Sequence, residues 1–266
     1  MTPVIELEGI RKLSNDLKKA AKSLSEQEVR YLVDTYYQIQ EYRKATANQC
    51  RIMDESTEPH DVLSWFLGNA ETLEGQIKKA LEYYTDSHPV GMWLKGITGI
   101  GPIIAAGLLA HIDIHKAPTA GHIWSFAGLN PNQKWEKGQK RPWNARLKTL
   151  CWKIGESFVK VSNNPKDIYG KIYRQRKEKE IVNNSRLAFK DQAVEKLRTK
   201  KIGKDTEAYK WYSEGKLPPA HINERAKRYA VKIFLSHLQE FWYKQEFGVD
   251  PPAPYPIAIL GHAHKI

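Results

Sequence analysis

Cysteine is nearly missing from this chain: Cys50 and Cys151, about 100 residues apart, are the only two among 266 residues. So low a count excludes a disulfide framework and a zinc site made of four cysteines, and it suits a reducing compartment. No apolar run approaches the roughly 20 residues that cross a bilayer, so no membrane partner is expected. Met1-Thr2-Pro3-Val4-Ile5-Glu6 has neither the charged nor the apolar region of a secretory signal. The expected location is therefore cytoplasmic and nucleoid-associated. Strand-like alternation and internal repeats are missing too. So are a phosphate-binding P-loop, a dinucleotide fingerprint and a serine-hydrolase elbow. These absences leave a mainly α protein with no cofactor expected.

Acidic residues are scarce in one part only. Residues 1–90 carry 11 Lys/Arg against 15 Asp/Glu, whereas 91–266 carry 31 against 15, and the chain as a whole is +12. Within 134–204 there are 21 basic and 7 acidic residues. Segregation on this scale implies a polyanionic partner. Nucleic acid fits best, because the basic part offers neither a lipid-anchor motif nor one clean amphipathic helix for a membrane surface.

The acidic part reads as helices. Leu7–Leu24 predicts a first one, and Ser25 with Glu28 forms a capping box that opens a second, running to about Cys50 with Val29, Leu32, Val33, Tyr36 and Ile39 on one face. A break follows at 55–59, with Pro59 placed to start a third helix. In that helix Val62, Phe66, Ala70, Leu73, Ile77, Leu81 and Tyr84 make a heptad-like seam. The seam serves either a coiled-coil homodimer or two antiparallel helices packed within one chain. Further along, a helix over His221–Phe247 carries Ala226, Ala230, Ile233, Phe234, Leu238, Phe241 and Trp242 inward, and Arg225, Arg228 and Lys232 as a basic stripe on its other side. The stripe either tracks phosphates or is a solvated face. The prolines 251, 252, 254 and 256 predict an extended tail. Three segments result: 1–88, acidic and helical; 89–180, the central module; and 181–266, a basic helical extension.

The centre carries the chemistry. In Trp93-Leu94-Lys95-Gly96-Ile97-Thr98-Gly99-Ile100-Gly101-Pro102-Ile103, a short helix ends near Gly96, a tight turn uses Gly99 and Gly101, and a second helix starts at Pro102. Ile97 and Ile100 would anchor the hairpin, and the amides of Gly99 to Ile103 would face outward at a positive helix end, where a phosphate fits. Such a helix-hairpin-helix holds a duplex by its backbone without reading bases. Lys95, Thr98, Gly99, Ile100 and Gly101 are its candidate DNA contacts. The alternative is a glycine corner with no ligand.

Downstream, Ile123 to Pro131 reads as a helix closed by a glycine cap, and a basic loop with interleaved aromatics follows over 134–146. Lys134, Lys137, Lys140, Arg141, Arg146 and Lys148 are candidate phosphate contacts. Trp135 and Trp143 either pack in the core, the favoured reading, or stack on exposed bases.

The order Gly-Ile-Gly-Pro-Ile-Ile-Ala-Ala, then His111-Ile112-Asp113, then Ala127-Gly128-Leu129-x-Pro131, then a loop with Gly138 and Arg146-Leu147-Lys148, resembles the C-terminal helix-hairpin-helix domain of the bridge-RNA-guided insertion-sequence transposases over about 90–178. That resemblance implies DNA binding within a mobile element or phage. It also implies a RuvC-like nuclease domain with four acidic metal ligands, for which residues 1–90 offer no strands. The family's nucleophilic serine immediately precedes the loop glycine, and here Lys137 precedes Gly138, with Glu136 before it. The expectation is a domain that keeps DNA binding without strand transfer, with no catalytic residue named.

Other chemistry is weaker. Ser125, Ser157 and Ser162 lie near the module, but a nucleophile needs a base in reach. His111 and His115 flank Asp113 without an evident third ligand, a structural arrangement being favoured, and His262 and His264 sit in the tail. No metal is expected. The leading expectation is a non-enzymatic, non-sequence-specific DNA-binding protein, with branched DNA as a target by analogy with transposases. Two others stay open: an active recombinase using a displaced serine or a partner's acidic site, and a module that binds structured RNA or an acidic protein.

Overall fold

The computed structural model describes residues 11–54 and 61–252. The start of the first expected helix, Pro59, Pro254, Pro256, His262 and His264 lie outside the described residues. Among those described there are eleven α-helices, two 3-10 turns and no strand, so the chain is mainly α. It forms two compact units. One runs to Gly96 and resumes over Gly101–Asp113; the other takes Ile97–Ile100 and everything from Ile114. The segment 89–180 thus contributes to both.

In the first unit, α1 spans Asn15–Ala20 and a 3-10 turn covers Ala21–Ser23. The described part of this helix is shorter than expected, because the Ser14 side chain accepts from the Leu17 amide at 3.2 Å and caps a new start. The capping box that opens α2 (Glu26–Asp54) forms as read. Glu28 accepts from the Ser25 amide at 2.8 Å, and the Ser25 hydroxyl accepts from the Glu28 amide at 3.3 Å. Helix α3 (Asp61–Asp86) lies antiparallel to α2. Arg43 and Gln40 both reach Glu74 near the middle of the pair, while Glu26 stands beside Tyr84 at the other end. The heptad-like seam is thus spent partly inside one chain: Ala70, Ile77, Leu81 and Tyr84 are buried, but Val62 and Phe66 remain 62% and 42% exposed.

Helices α4 (Pro89–Lys95) and α5 (Pro102–His111) complete this unit. Seven of the ten α5 residues are buried. A helix apolar on every side has no solvent face to offer, so it becomes the core element against which α2, α3 and α4 pack. Arg30 ties α2 to it by donating to the Ala110 carbonyl at 2.5 Å.

The second unit is built on α11 (Pro219–Phe247), against which α6 (Ala120–Phe126), α7 (Ala145–Val161) and α8 (Tyr169–Ser185) pack. Phe158, Tyr169 and Phe234, one from each of α7, α8 and α11, meet with ring centroids 5.0–5.5 Å apart. Helices α9 (Lys190–Thr199) and α10 (Glu207–Ser213) enclose a satellite core of Ala193, Leu217 and Ile222.

The basic stripe on α11 is not one continuous free face. Arg225 turns to Glu180, which is only 1% exposed and also pairs with Arg176. Lys232 lies 4.2 Å from the Trp124 ring centroid, and Arg228 alone of the three is exposed. Desolvation explains the outcome: a buried carboxylate is stable only with charged donors around it, and Glu180 takes two arginines.

Candidate nucleic-acid interface

The helix end at Gly96, the turn at Gly99 and the helix start at Pro102 fall where the glycine pattern put them. Helix α4 ends on a Gly96 cap, and Ile97 to Ile100 make a turn closed by the Ile100 amide donating to the Ile97 carbonyl at 2.9 Å. Gly99 has φ +95°, a backbone state that side chains rarely adopt. A β-carbon there would lie 3.1 Å from Val161 and 3.3 Å from the Ser157 hydroxyl. That hydroxyl instead donates to the Gly99 carbonyl at 2.5 Å, and Thr98 comes within 3.5 Å of the Lys166 carbonyl. The turn is therefore seated on α7, with Ile100 only 4% exposed.

Gly101 has an ordinary φ of −94°, caps α5 without a side-chain hydrogen bond, and has open space where a side chain would project. Pro102 brings no amide, and Ile103 and Ile104 are first-turn amides with no intrahelical acceptor. The expected row of outward amides over Gly99 to Ile103 is thus thinner, since Pro102 has none and the Ile100 amide is consumed in the turn. Lys95 is ion-paired with Asp86, so its charge is already matched.

The basic loop is tethered at both ends. Gly128 (φ +65°) closes α6: its amide donates to Ser125, and the Leu129 amide donates back to Trp124. The Asn144 amide bonds the Phe126 carbonyl at 2.8 Å, and its side chain accepts from Arg146 and Leu147 to start α7. The loop thus leaves and returns at one point. A side chain on Gly128 would strike Trp143 and the Lys148 stem, at 2.8 and 3.0 Å.

Between these ends, Lys134, Lys137, Lys140 and Arg141 are all exposed, as are Arg146 and Lys148 at the start of α7. Gly138 (φ +93°) bends a turn in which Gln139 donates to Glu136. Trp135 does not pack in the core: it is 40% exposed, donates to the Gln139 carbonyl at 2.7 Å, and stands 5.1 Å from the Arg141 guanidinium. Trp143 is half-buried against Gly128, with the Lys148 ammonium 4.1 Å from its ring centroid. A loop of lysines has too little apolar surface to enclose both indoles, which explains the difference.

Partial burial first, and then the nearby cations Arg141 and Arg228, hold Lys148 below the ordinary lysine range. Three cations from the loop, α7 and α11 thus crowd together. Glu224, the carboxylate beside Arg228, is already paired with Lys227, which also pairs with Glu156. A cavity of about 140 Å³ opens here, with Lys148, Trp152 and Arg228 in its wall. Sequence reading placed Arg141 and Lys148 among the candidate DNA contacts and Arg228 only in the α11 stripe, as either a phosphate contact or a solvated residue, without joining the two. No local pattern links a loop to a helix some 80 residues later.

Each of the three serines makes a hydrogen bond within the protein. Ser125 accepts from Asn130 at 3.1 Å, Ser157 holds Gly99, and Ser162 donates to Val159 at 2.8 Å. His115 faces Glu246 at 3.2 Å. Among the described residues no group of three His, Cys, Asp or Glu is placed to hold a metal ion, and no helix is long and apolar enough to cross a membrane.

What the geometry defines is a helical protein with a locked glycine turn and a tethered cationic loop. Residues 92–158, about a quarter of the chain, match the family model described as the transposase IS116/IS110/IS902 family. The matched stretch takes in the turn, the α5 start, the loop and most of α7. No curated protein and no solved structure matches the chain.

Proposed function

We propose that this protein binds DNA by its phosphate backbone, without reading base sequence, as part of a mobile element or phage. The observation that carries the reading is the crowding of Arg141, Lys148 and Arg228. Like charges gathered at a partly desolvated place raise the free energy of the unliganded protein, and an incoming phosphate relieves it. The exposed Lys134, Lys137 and Lys140 extend the cationic track, and the uncapped start of α5 offers amides and a positive helix end to a second phosphate. The transposase-family match over 92–158 supports DNA as the polyanion. A second copy of the chain belongs to the reading because Val62 and Phe66 leave the outer end of the seam exposed.

The test is a titration against paired duplex, four-way junction and single-stranded DNA, using wild type, Arg141→Gln with Lys148→Gln, and Gly101→Asp. An aspartate at position 101 would accept from the first-turn amides of α5 as an ordinary cap, so fold stability should hold or rise while those amides are lost to phosphate. Both variants should bind all the DNAs more weakly. Wild-type protein that ignores all three DNAs would sink the reading.

A further inference from the structure

A second cavity, of about 360 Å³, lies apart from the turn and the loop, between α8, the α10 end and the first turn of α11. Its walls are apolar. Ile181 comes from α8, Trp211 from α10, Leu217 from the chain that leads into α11, and Pro219 and Ile222 from the start of α11 itself. The one amide in the wall is used up. Asn184 donates to the Leu217 carbonyl at 2.9 Å and accepts from the Leu217 amide at 2.8 Å, which fixes one wall and takes its polar atoms out of play. The Ser185 hydroxyl donates to Val182 within its own helix.

Two lysines, Lys177 and Lys216, line the cavity as well, and the Lys177 ammonium lies 5.8 Å from the Tyr173 ring centroid. Lys216 meets an exposed carboxylate, Glu214, at 3.0 Å, a pair that has to open before this lysine meets a phosphate. A slot with an indole in its wall, no spare amide and two cations suits a flat ring that carries negative charge beside it. Volume agrees, since pockets of a few hundred Å³ with apolar walls and a few polar groups are those that hold small planar ligands.

We propose that this slot takes an unpaired nucleobase of the bound DNA, stacked on Trp211, with Lys177 and Lys216 on the adjoining phosphates. The inference rests on the backbone-binding reading above and deepens it. Such a site gives a preference for DNA with a base out of the stack, independent of which base it is, because every base offers a π-face. The same chemistry occurs in a free mononucleotide. DNA is the source argued here because α8, which supplies Lys177, also carries Lys171, Arg174 and Lys179 along a single helix.

The experiment compares three ligands on the full-length chain: a paired duplex, the same duplex with a one-base 2-aminopurine bulge, and deoxyadenosine monophosphate. Wild type should bind the bulged duplex roughly tenfold tighter than the paired one, within the range for one base stacking on an aromatic side chain. The 2-aminopurine fluorescence should change on binding. Trp211→Ala should remove the preference and leave paired-duplex affinity unaltered. Should that variant melt early, Ile181→Gln replaces an exposed part of the wall and should lower the preference without touching the core.

Equal affinity for bulged and paired duplex, with salt-dependent binding of both, overturns this inference and leaves the backbone reading standing. Absence of any DNA binding overturns both. Binding of the free nucleotide with no bulge preference removes DNA as the source.

Discussion

Two glycines two positions apart do different work. Gly99 is favoured by the fold, since its positive φ strains any side chain and a β-carbon would press on Val161 and Ser157. Gly101 is free of both limits. Gly99→Ala should therefore lower stability by about 1–3 kcal/mol through backbone strain, while Gly101→Ala should change it by less than about 1 kcal/mol. Denaturant midpoints at matched slope separate the two. Ser157→Ala removes the donor to the Gly99 carbonyl and should cost about 1 kcal/mol, with the loss confined to stability if the serine has no chemical part. The glycine spacing of the turn was legible in the sequence because positive φ and a proline-started helix leave a local signature. Ser157 as its lock was not, since the partners are 58 residues apart and a serine beside Phe158 looks like any helical serine.

At the scale of elements, the joint between α8 and α11 turns on Glu180. Burial raises its proton affinity, but Arg225 and Arg176 outweigh that and hold the carboxyl below the usual range. A group depressed in the folded state contributes stability that is present above its unfolded pKa and lost as pH falls through the folded one. Wild type should thus lose stability below about pH 4.3, the ordinary glutamate value, and Glu180→Gln should flatten that part of the profile. At neutral pH the same change should cost about 3–5 kcal/mol by leaving Arg176 and Arg225 without their anion. Thermal unfolding over a pH series reads both effects, and a variant that keeps the wild-type acid profile would remove Glu180 from the account. Here periodicity and capping served well for existence and for some ends: the box at Ser25 and the proline start of α5 are local chemistry, whereas the final helix begins at Pro219 rather than His221. They served poorly for partners. The 3.6-residue period says that Arg225 and Lys232 lie off the apolar face of α11, yet it cannot say that one meets a buried glutamate and the other an indole.

For the whole molecule, the decisive quantity is how many cations meet phosphate rather than how many the chain carries. The sequence shows the segregation of charge plainly, but pairing reduces what is available: Lys95, Arg176, Arg225 and Lys227 are each matched by a carboxylate. If the remaining loop and α7 cations neutralise about six phosphates, affinity should fall roughly 10³-fold between 50 and 200 mM salt. A logarithmic plot of affinity against salt then gives the number directly. Lys148→Gln should weaken binding to every DNA sequence alike and lower the slope by about one. Lys95→Gln, which removes a cation already paired with Asp86, should leave the slope where it was. A slope that changes equally for both substitutions would mean that the Lys95–Asp86 pair of the free protein opens on DNA, and that Lys95 meets a phosphate just as Lys148 does.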